Sequence, residues 1–259
     1  MQTLQNTTPL IAENFAYGFR KTNQREDNIL ISRDCSEPDT FMQFQGYTLL
    51  KAQYAALEEF CGQYNETPEQ MFSEHDNLEI ENGLVIRINV LYKYIHTEDK
   101  KLTIPKNLEY LQELWCHDNR LSAISELPRR LQRFYCMCNE LSFLPELPRQ
   151  LRELICAHNK LSILPELPEK LQRIYCINNQ LIALPKLPQQ LQELECNNNI
   201  LRTLPELPKN LQKLRCSNNR YLTLTAPIEL LAGLADFAYF YIANEKYIRE
   251  QIALFKGEK

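Results

Sequence analysis

LQRFYCMCNELSFLPELPRQ, residues 131–150, runs directly into LRELICAHNKLSILPELPEK, residues 151–170, and the two match position for position. The same frame starts at Leu111, Leu131, Leu151, Leu171, Leu191 and Leu211, giving six 20-residue units, the last of which decays. Each unit approximates LxxLxCxxNxLxxLPxLPxx. A fixed period of this length marks a solenoid: each unit is one coil, and stacking buries a continuous core that no single coil could bury.

Physical chemistry assigns the positions. The first, fourth, sixth, eleventh, fourteenth and seventeenth are apolar and are expected to face inward. Around the fourth and sixth, apolar residues alternate with others, which marks a short strand. Successive strands then stack into a parallel sheet. The ninth position is Asn in every unit: Asn119, Asn139, Asn159, Asn179, Asn199 and Asn219. A buried amide can serve backbone donors and acceptors where each coil leaves its strand. Paired prolines in units two to five, such as Pro145 and Pro148, disfavour a helix and favour extended, polyproline-like backbone. The expected fold class is an α/β repeat solenoid. It forms an arc with short parallel strands on the concave face and a thin convex side.

The repeat closely resembles that of the bacterial 20-residue leucine-rich-repeat effectors, the YopM-like and IpaH-like proteins. The resemblance runs from Leu111 to about Leu224, under half of the 259 residues. It implies a protein-binding module delivered into host cells, which in this family either stands alone as a scaffold or precedes a ubiquitin-ligase domain. About 35 residues follow the last repeat, too few for that ligase domain. The ligases carry a Cys-x-Asp motif. Its one counterpart here, Cys116–His117–Asp118, has its cysteine at the sixth, inward position, where core packing explains it.

The flanks read as caps. Residues 1–110 form an α+β N-terminal region. Thr8–Pro9 before LIAENFAYGF suggests a capped helix. Tyr47–Gln63 reads as a second helix with Leu50, Tyr54, Leu57 and Cys61 on one face and Leu49 and Phe60 beside it. Glu66–Thr67–Pro68 starts a short helix to about Ser73. LEIENGLVIRINV places Asn82–Gly83 between alternating apolar runs, a type I′ hairpin signal. Ile104–Pro105 with Leu108 and Leu111 looks like the tail of an irregular repeat that joins this cap to the array. The repeats fill 111–225. Residues 226–259, opened by Pro227, read as a helical C-terminal cap over the last repeat.

Composition narrows the function. A net charge of −4 and a pI near 5.7 argue against a nucleic-acid partner. Six glycines and no phosphate-loop motif argue against nucleotide binding, and no cofactor is expected. The N-terminus lacks the pattern of a secretory signal peptide. The most apolar stretch, Leu230 to Ala243, contains Asp236 and is too short to span a bilayer, so no membrane insertion is expected. Six of the nine cysteines recur at the sixth position, which implies buried thiols and a reducing compartment rather than a disulfide framework. Cys35, Cys61 and His75 are too scattered to suggest a nucleophile.

The strand alternation turns the third, fifth and seventh positions toward solvent on the concave side. The fifth column reads Trp115, Tyr135, Ile155, Tyr175, Glu195, Arg215, and the seventh His117, Met137, Ala157, Ile177, Asn197, Ser217. The first four coils therefore display an apolar, aromatic stripe, the expected composition of an interface core. The third column alternates in sign: Glu113, Arg133, Glu153, Arg173, Glu193, Lys213. Such charges pair across the ladder, fixing register and solubility. The partner surface expected from these columns comprises Trp115, Tyr135, Ile155, Tyr175, Met137, Ile177, His117, Arg133 and Arg173.

The eighth column begins Asp118, Cys138, His158, a set that could in principle activate a thiol or hold a metal. A relay needs the imidazole between thiol and acid, and here the thiol is in the middle. The column continues as Asn178, Asn198 and Asn218, so the position accepts small polar residues generally. Along the convex side, Glu126, Glu146, Glu166 and Glu206 form an acidic row broken by Lys186, read as a solvated face. The leading expectation is a monomeric, non-enzymatic scaffold. The family resemblance implies that it would be delivered by a bacterial secretion system into the host cytoplasm and would bind a host protein there. The alternatives are an enzyme, thiol-based around Cys138 or housed in the N-terminal region, and an adhesion role at a bacterial surface.

Overall fold

The computed structural model describes residues 41–73, 77–91, 93, 95–220 and 222. The expected helix after Thr8–Pro9, the C-terminal cap, Cys35 and His75 lie outside the described residues.

In chain order, β1 (Phe41–Phe44) and β2 (Tyr47–Leu50) form an antiparallel hairpin. Helix α1 (Lys51–Gly62) and the short α2 (Pro68–Met71) follow. The expected helix over Tyr47–Gln63 thus starts four residues late. Gln45 and Gly46 take positive φ of 49° and 84°, the turn that reverses the chain and commits Tyr47–Leu50 to pairing. The buried face of α1 is Gln53, Ala56, Leu57, Phe60 and Cys61, while Leu50 and Tyr54 are only half-buried. Gln53 earns its buried place by donating to the Asn107 carbonyl and accepting from Val85 N at 3.1 Å. Thr67 and Gln70 close a capping box around the start of α2.

The Asn82–Gly83 hairpin is present, joining β3 (Leu78–Glu81) to β4 (Leu84–Asn89) with φ of 52° and 79° at the turn. β5 (Lys101–Leu102), a 3₁₀ turn at Lys106–Leu108, β6 (Glu113–Trp115) and β7 (Ala123–Ile124) lead into the array. The remaining strands are β8 (Arg133–Tyr135), β9 (Glu153–Ile155), β10 (Arg173–Tyr175), β11 (Glu193–Glu195) and β12 (Lys213–Arg215). Every repeat strand occupies positions three to five. Each pairs in parallel with its copy one period away, as in Phe134↔Leu154 and Tyr135↔Ile155.

The inward columns are as the pattern requires. All six repeat cysteines, and the leucines, phenylalanine and isoleucine of the fourth position, have no exposed surface. The eight described cysteines are free thiols. The Asn ladder carries the coil-to-coil hydrogen bonding. Asn139 Nδ2 donates to the carbonyls of Cys116 at 2.9 Å, Cys136 at 3.1 Å and Met137 at 3.2 Å. Its Oδ1 accepts from Leu121 N at 2.9 Å. On the convex side of the described coils no helix forms. Extended backbone ends in a tight turn, such as Leu151 N to Pro148 O at 3.0 Å, which starts the next coil.

The N-terminal region continues the array as an irregular coil. β4 pairs in parallel with β6 through Arg87↔Glu113, Ile88↔Leu114 and Asn89↔Trp115. Val85, Ile88 and Val90 therefore stand at the first, fourth and sixth positions. Asn119 reaches Val90 O at 2.5 Å, as the other ladder asparagines reach the preceding cysteine carbonyl. The result is one eight-stranded sheet, β12-β11-β10-β9-β8-β6-β4-β3.

Candidate interaction surface

The strand face is built from three columns, and β4 extends each by one residue. The third column now runs Glu79, Arg87, Glu113, Arg133, Glu153, Arg173, Glu193, Lys213, alternating in sign across all eight strands. Arg87 pairs with Glu79 at 3.0 Å, Arg133 with Glu113, and Arg173 with Glu153 at 2.6 Å. Glu153 also lies 4.0 Å from Arg133. Arg133 and Arg173, expected to meet a partner, thus spend their guanidinium groups on neighbouring strands. Lys213 lies closer to Glu195, at 2.5 Å, than to Glu193, at 3.7 Å. Glu195 is buried and also meets Arg215 at 3.4 Å. The polar end of the face is therefore neutralised internally.

The apolar stripe is less open than the alternation suggests. Trp115, Tyr175 and His117 are half-buried, whereas Tyr135, Ile155, Met137 and Ile177 are buried, and Ala157 is fully covered. The physical reason is lateral packing. Strands about 4.8 Å apart put large same-column side chains in contact with each other. The Trp115 and Tyr135 rings stand 4.5 Å apart, and Trp115 and His117 6.3 Å. Tyr175 donates to the Glu193 carboxylate, and the Lys213 ammonium sits 5.6 Å from its ring centroid. Burial pushes His117 down to about 4, so the imidazole is neutral near pH 7. Asn89 joins the fifth column through β4, and Leu91 takes the seventh position. The signal for both was in the sequence, since Val85xxIle88xVal90 copies the LxxLxC spacing.

The His117 shift has a stability consequence. In the window from the unfolded value of 6.5 down to about 4, the unfolded chain binds a proton that the folded chain refuses. Stability is therefore full above the window, falls as pH drops through it, and levels off below it. Asp118, raised by burial, opposes this in its own range. The urea midpoint is expected to fall between pH 7 and 4.5 by the equivalent of about 1–2 kcal/mol. Burial also pushes His158 down, which adds to the loss, so His117→Gln should remove part of that fall and His117→Gln with His158→Gln most of it. A fall of equal size in the single variant would exclude His117 as its origin.

The eighth column does not activate a thiol. Burial and the adjacent Asp118 carboxylate, which the thiol hydrogen-bonds, push Cys138 up to about 12. His158 contacts the Asn178 amide, at 3.1 and 3.0 Å from its two ring nitrogens. Among the described residues no group of three or more His, Cys, Asp or Glu is placed to hold a metal ion. The column has a backbone role instead: Asp118, Cys138, His158, Asn178, Asn198 and Asn218 all take φ between 53° and 58°. Asn adopts this left-handed region readily and Cys does not. Cys138→Asn is expected to stabilise the fold by roughly 0.5–1 kcal/mol in urea unfolding. A destabilised variant would mean the Cys138–Asp118 hydrogen bond outweighs backbone strain.

YopM from Yersinia enterocolitica WA-314 superposes with a TM-score of 0.53 and 29% identity, covering 63% of this chain and 34% of that chain. An effector leucine-rich-repeat domain from Shigella matches with a TM-score of 0.48 and 26% identity, covering 66% of each chain. YopM from Yersinia pestis matches with a TM-score of 0.43 and 31% identity, covering 52% of this chain and 45% of that one. The chain thus spans about a third of the length of the first of these. No protein-family model matches the sequence, and no curated protein matches it significantly. Among the described residues no helix is long and apolar enough to cross a membrane. Parallel three-residue strands one period apart, an Asn ladder and extended outer segments make the repeat region of this chain a leucine-rich-repeat solenoid similar to that of YopM.

Proposed function

We propose that this chain is a protein-interaction scaffold that holds a partner against its strand face, and that the partner is a host protein met after delivery by a bacterial secretion system. The observation that carries the reading is the contrast within that face. Its charges are paired with each other, while Trp115 and Tyr175 stand half-buried at either end of a packed apolar stripe. Preorganised aromatic anchors in a desolvated setting are what interface hot spots require. Tyr135, Ile155, Met137 and Ile177 support the anchors laterally, and His117 adds a neutral edge beside Trp115. Arg133 and Arg173 border the stripe while holding their carboxylates. The scaffold acts as a monomer, and no catalysis, nucleic acid or cofactor enters this reading.

Trp115→Ala combined with Tyr175→Ala is the test. Both side chains keep solvent-facing surface, so their removal leaves the core columns intact. Affinity for a partner isolated from host-cell lysate is expected to fall at least tenfold, about 2 kcal/mol or more. Circular dichroism should change little, and the urea midpoint should fall only modestly, through the lost Trp115–Tyr135 packing and Tyr175–Glu193 hydrogen bond. Unaltered affinity in the double variant would move the partner to another surface.

A further inference from the structure

Three large apolar side chains stand exposed on consecutive coils at the flank where the chain leaves the Asn ladder. Phe143 is 52% exposed, Ile163 65% and Ile182 49%. Nothing in the fold demands them. At the thirteenth position, where Phe143 and Ile163 sit, other coils carry Ala123, Ala183 and Thr203. At the twelfth, where Ile182 sits, other coils carry Ser122, Ser142, Ser162 and Arg202, and the decaying last coil carries the buried Leu222. The positions accept small or polar residues, so the apolar ones are a feature of the surface rather than of the core.

The neighbouring charge is equally specific. Positions eleven, fourteen and seventeen face inward with period three, as polyproline-like backbone of three residues per turn requires. Positions thirteen and sixteen then share an outward edge. Phe143 lies along the same edge as Glu146, and Ile163 along the same edge as Glu166, with Glu126 one coil before; all three carboxylates are exposed. One such carboxylate stands on each of three consecutive coils. In the third column the same geometry is answered by alternating signs and ion pairs; here no described cation lies within ion-pairing distance of Glu126, Glu146 or Glu166. The row ends at Lys186, on the coil of Ile182.

We propose that this flank docks a basic amphipathic segment of a partner protein. Its apolar side chains would rest on Phe143 and Ile163, with Ile182 one position off that edge on the next coil, and its Lys or Arg side chains would line Glu126, Glu146 and Glu166. Apolar contact supplies the affinity, and the unneutralised acids select for a cationic ligand and orient it. This surface lies off the strand face, so a solenoid engaged on both would join two ligands.

The test uses the full chain and a fluorescent three-turn helical peptide with Leu on one face and Lys on the other, followed by anisotropy. A matched peptide with Glu replacing Lys is the control. Saturable binding of the Lys peptide is expected, with none of the Glu peptide. Phe143→Ser with Ile163→Thr should weaken it at least tenfold. So should Glu126→Gln, Glu146→Gln and Glu166→Gln together, and this set should also flatten the salt dependence. Neither set should shift the urea midpoint appreciably, because these side chains are exposed. Trp115→Ala with Tyr175→Ala should leave peptide binding unchanged, which separates this surface from the strand face. The proposal is overturned if the Lys peptide fails to bind, if both flank variants bind it as wild type does, or if the strand-face variant alone loses it. Sedimentation showing a dimer that the Phe143→Ser, Ile163→Thr variant cannot form would assign the ridge to a second copy and overturn it as well.

Discussion

Asn159→Ala is expected to lower the stability of the chain by about 2–4 kcal/mol, read from urea unfolding. The amide of Asn159 donates to the carbonyls of Cys136 at 3.0 Å, Cys156 at 3.1 Å and Ala157 at 3.2 Å, and accepts from Leu141 N at 3.0 Å. These groups differ in what remains after truncation. Cys136 O keeps Asn139, Cys156 O keeps Asn179, and Ala157 O keeps Cys138 N. Leu141 N loses its amide acceptor inside the core, and that orphaned donor contributes most of the loss. Asn159→Asp should be worse at neutral pH, because a carboxylate would face three carbonyl oxygens. Its defect should ease as acid protonates it, which Ala cannot imitate. A loss below about 1 kcal/mol for Asn159→Ala would show that the ladder is not what joins the coils.

Phe134→Ala carries the second large effect, an expected loss of about 3–5 kcal/mol. Phe134 has no exposed surface and stands in a column otherwise filled by Leu114, Leu154, Ile174, Leu194 and Leu214. Truncation leaves a cavity between two strands whose positions are held by the ladder, so the site collapses little. Phe134→Leu, which supplies the residue of the neighbouring coils, should lose less than about 1.5 kcal/mol. Each coil contacts chiefly its neighbours, so the damage should be local. Hydrogen exchange is expected to quicken in the coils of β6, β8 and β9 before those of β11 and β12. Uniform quickening along the array would contradict nearest-neighbour coupling.

The candidate surface was legible in part. The third, fifth and seventh columns could be read directly, because a strand sends alternate residues to opposite faces. Their exposure could not. Ile155 is buried and stands between Tyr135 and Tyr175, its partners 20 residues away on the adjacent strands; Met137 and Ile177 are buried as well. The flank ridge of Phe143 and Ile163 was visible as two large residues in a column of small ones, but only the inward period of three placed the acidic row beside it. The irregular coil at β4 escaped the repeat frame because its period differs, although its apolar spacing is intact.

The sequence by itself determined the inward columns, the strand positions, the Asn ladder and the absence of a helix on the convex side. In each case the choice is made within one coil and then repeated, six times for the side-chain period and the amide and four times for the paired prolines. Only the tertiary structure decided how far Trp115, Tyr135 and Tyr175 face water, that Lys213 turns to Glu195, that the eighth column is left-handed, and that Tyr47–Leu50 pairs as a strand. Those outcomes depend on atoms brought together from separate coils or turns, and no local propensity encodes a distance between residues that meet only after stacking.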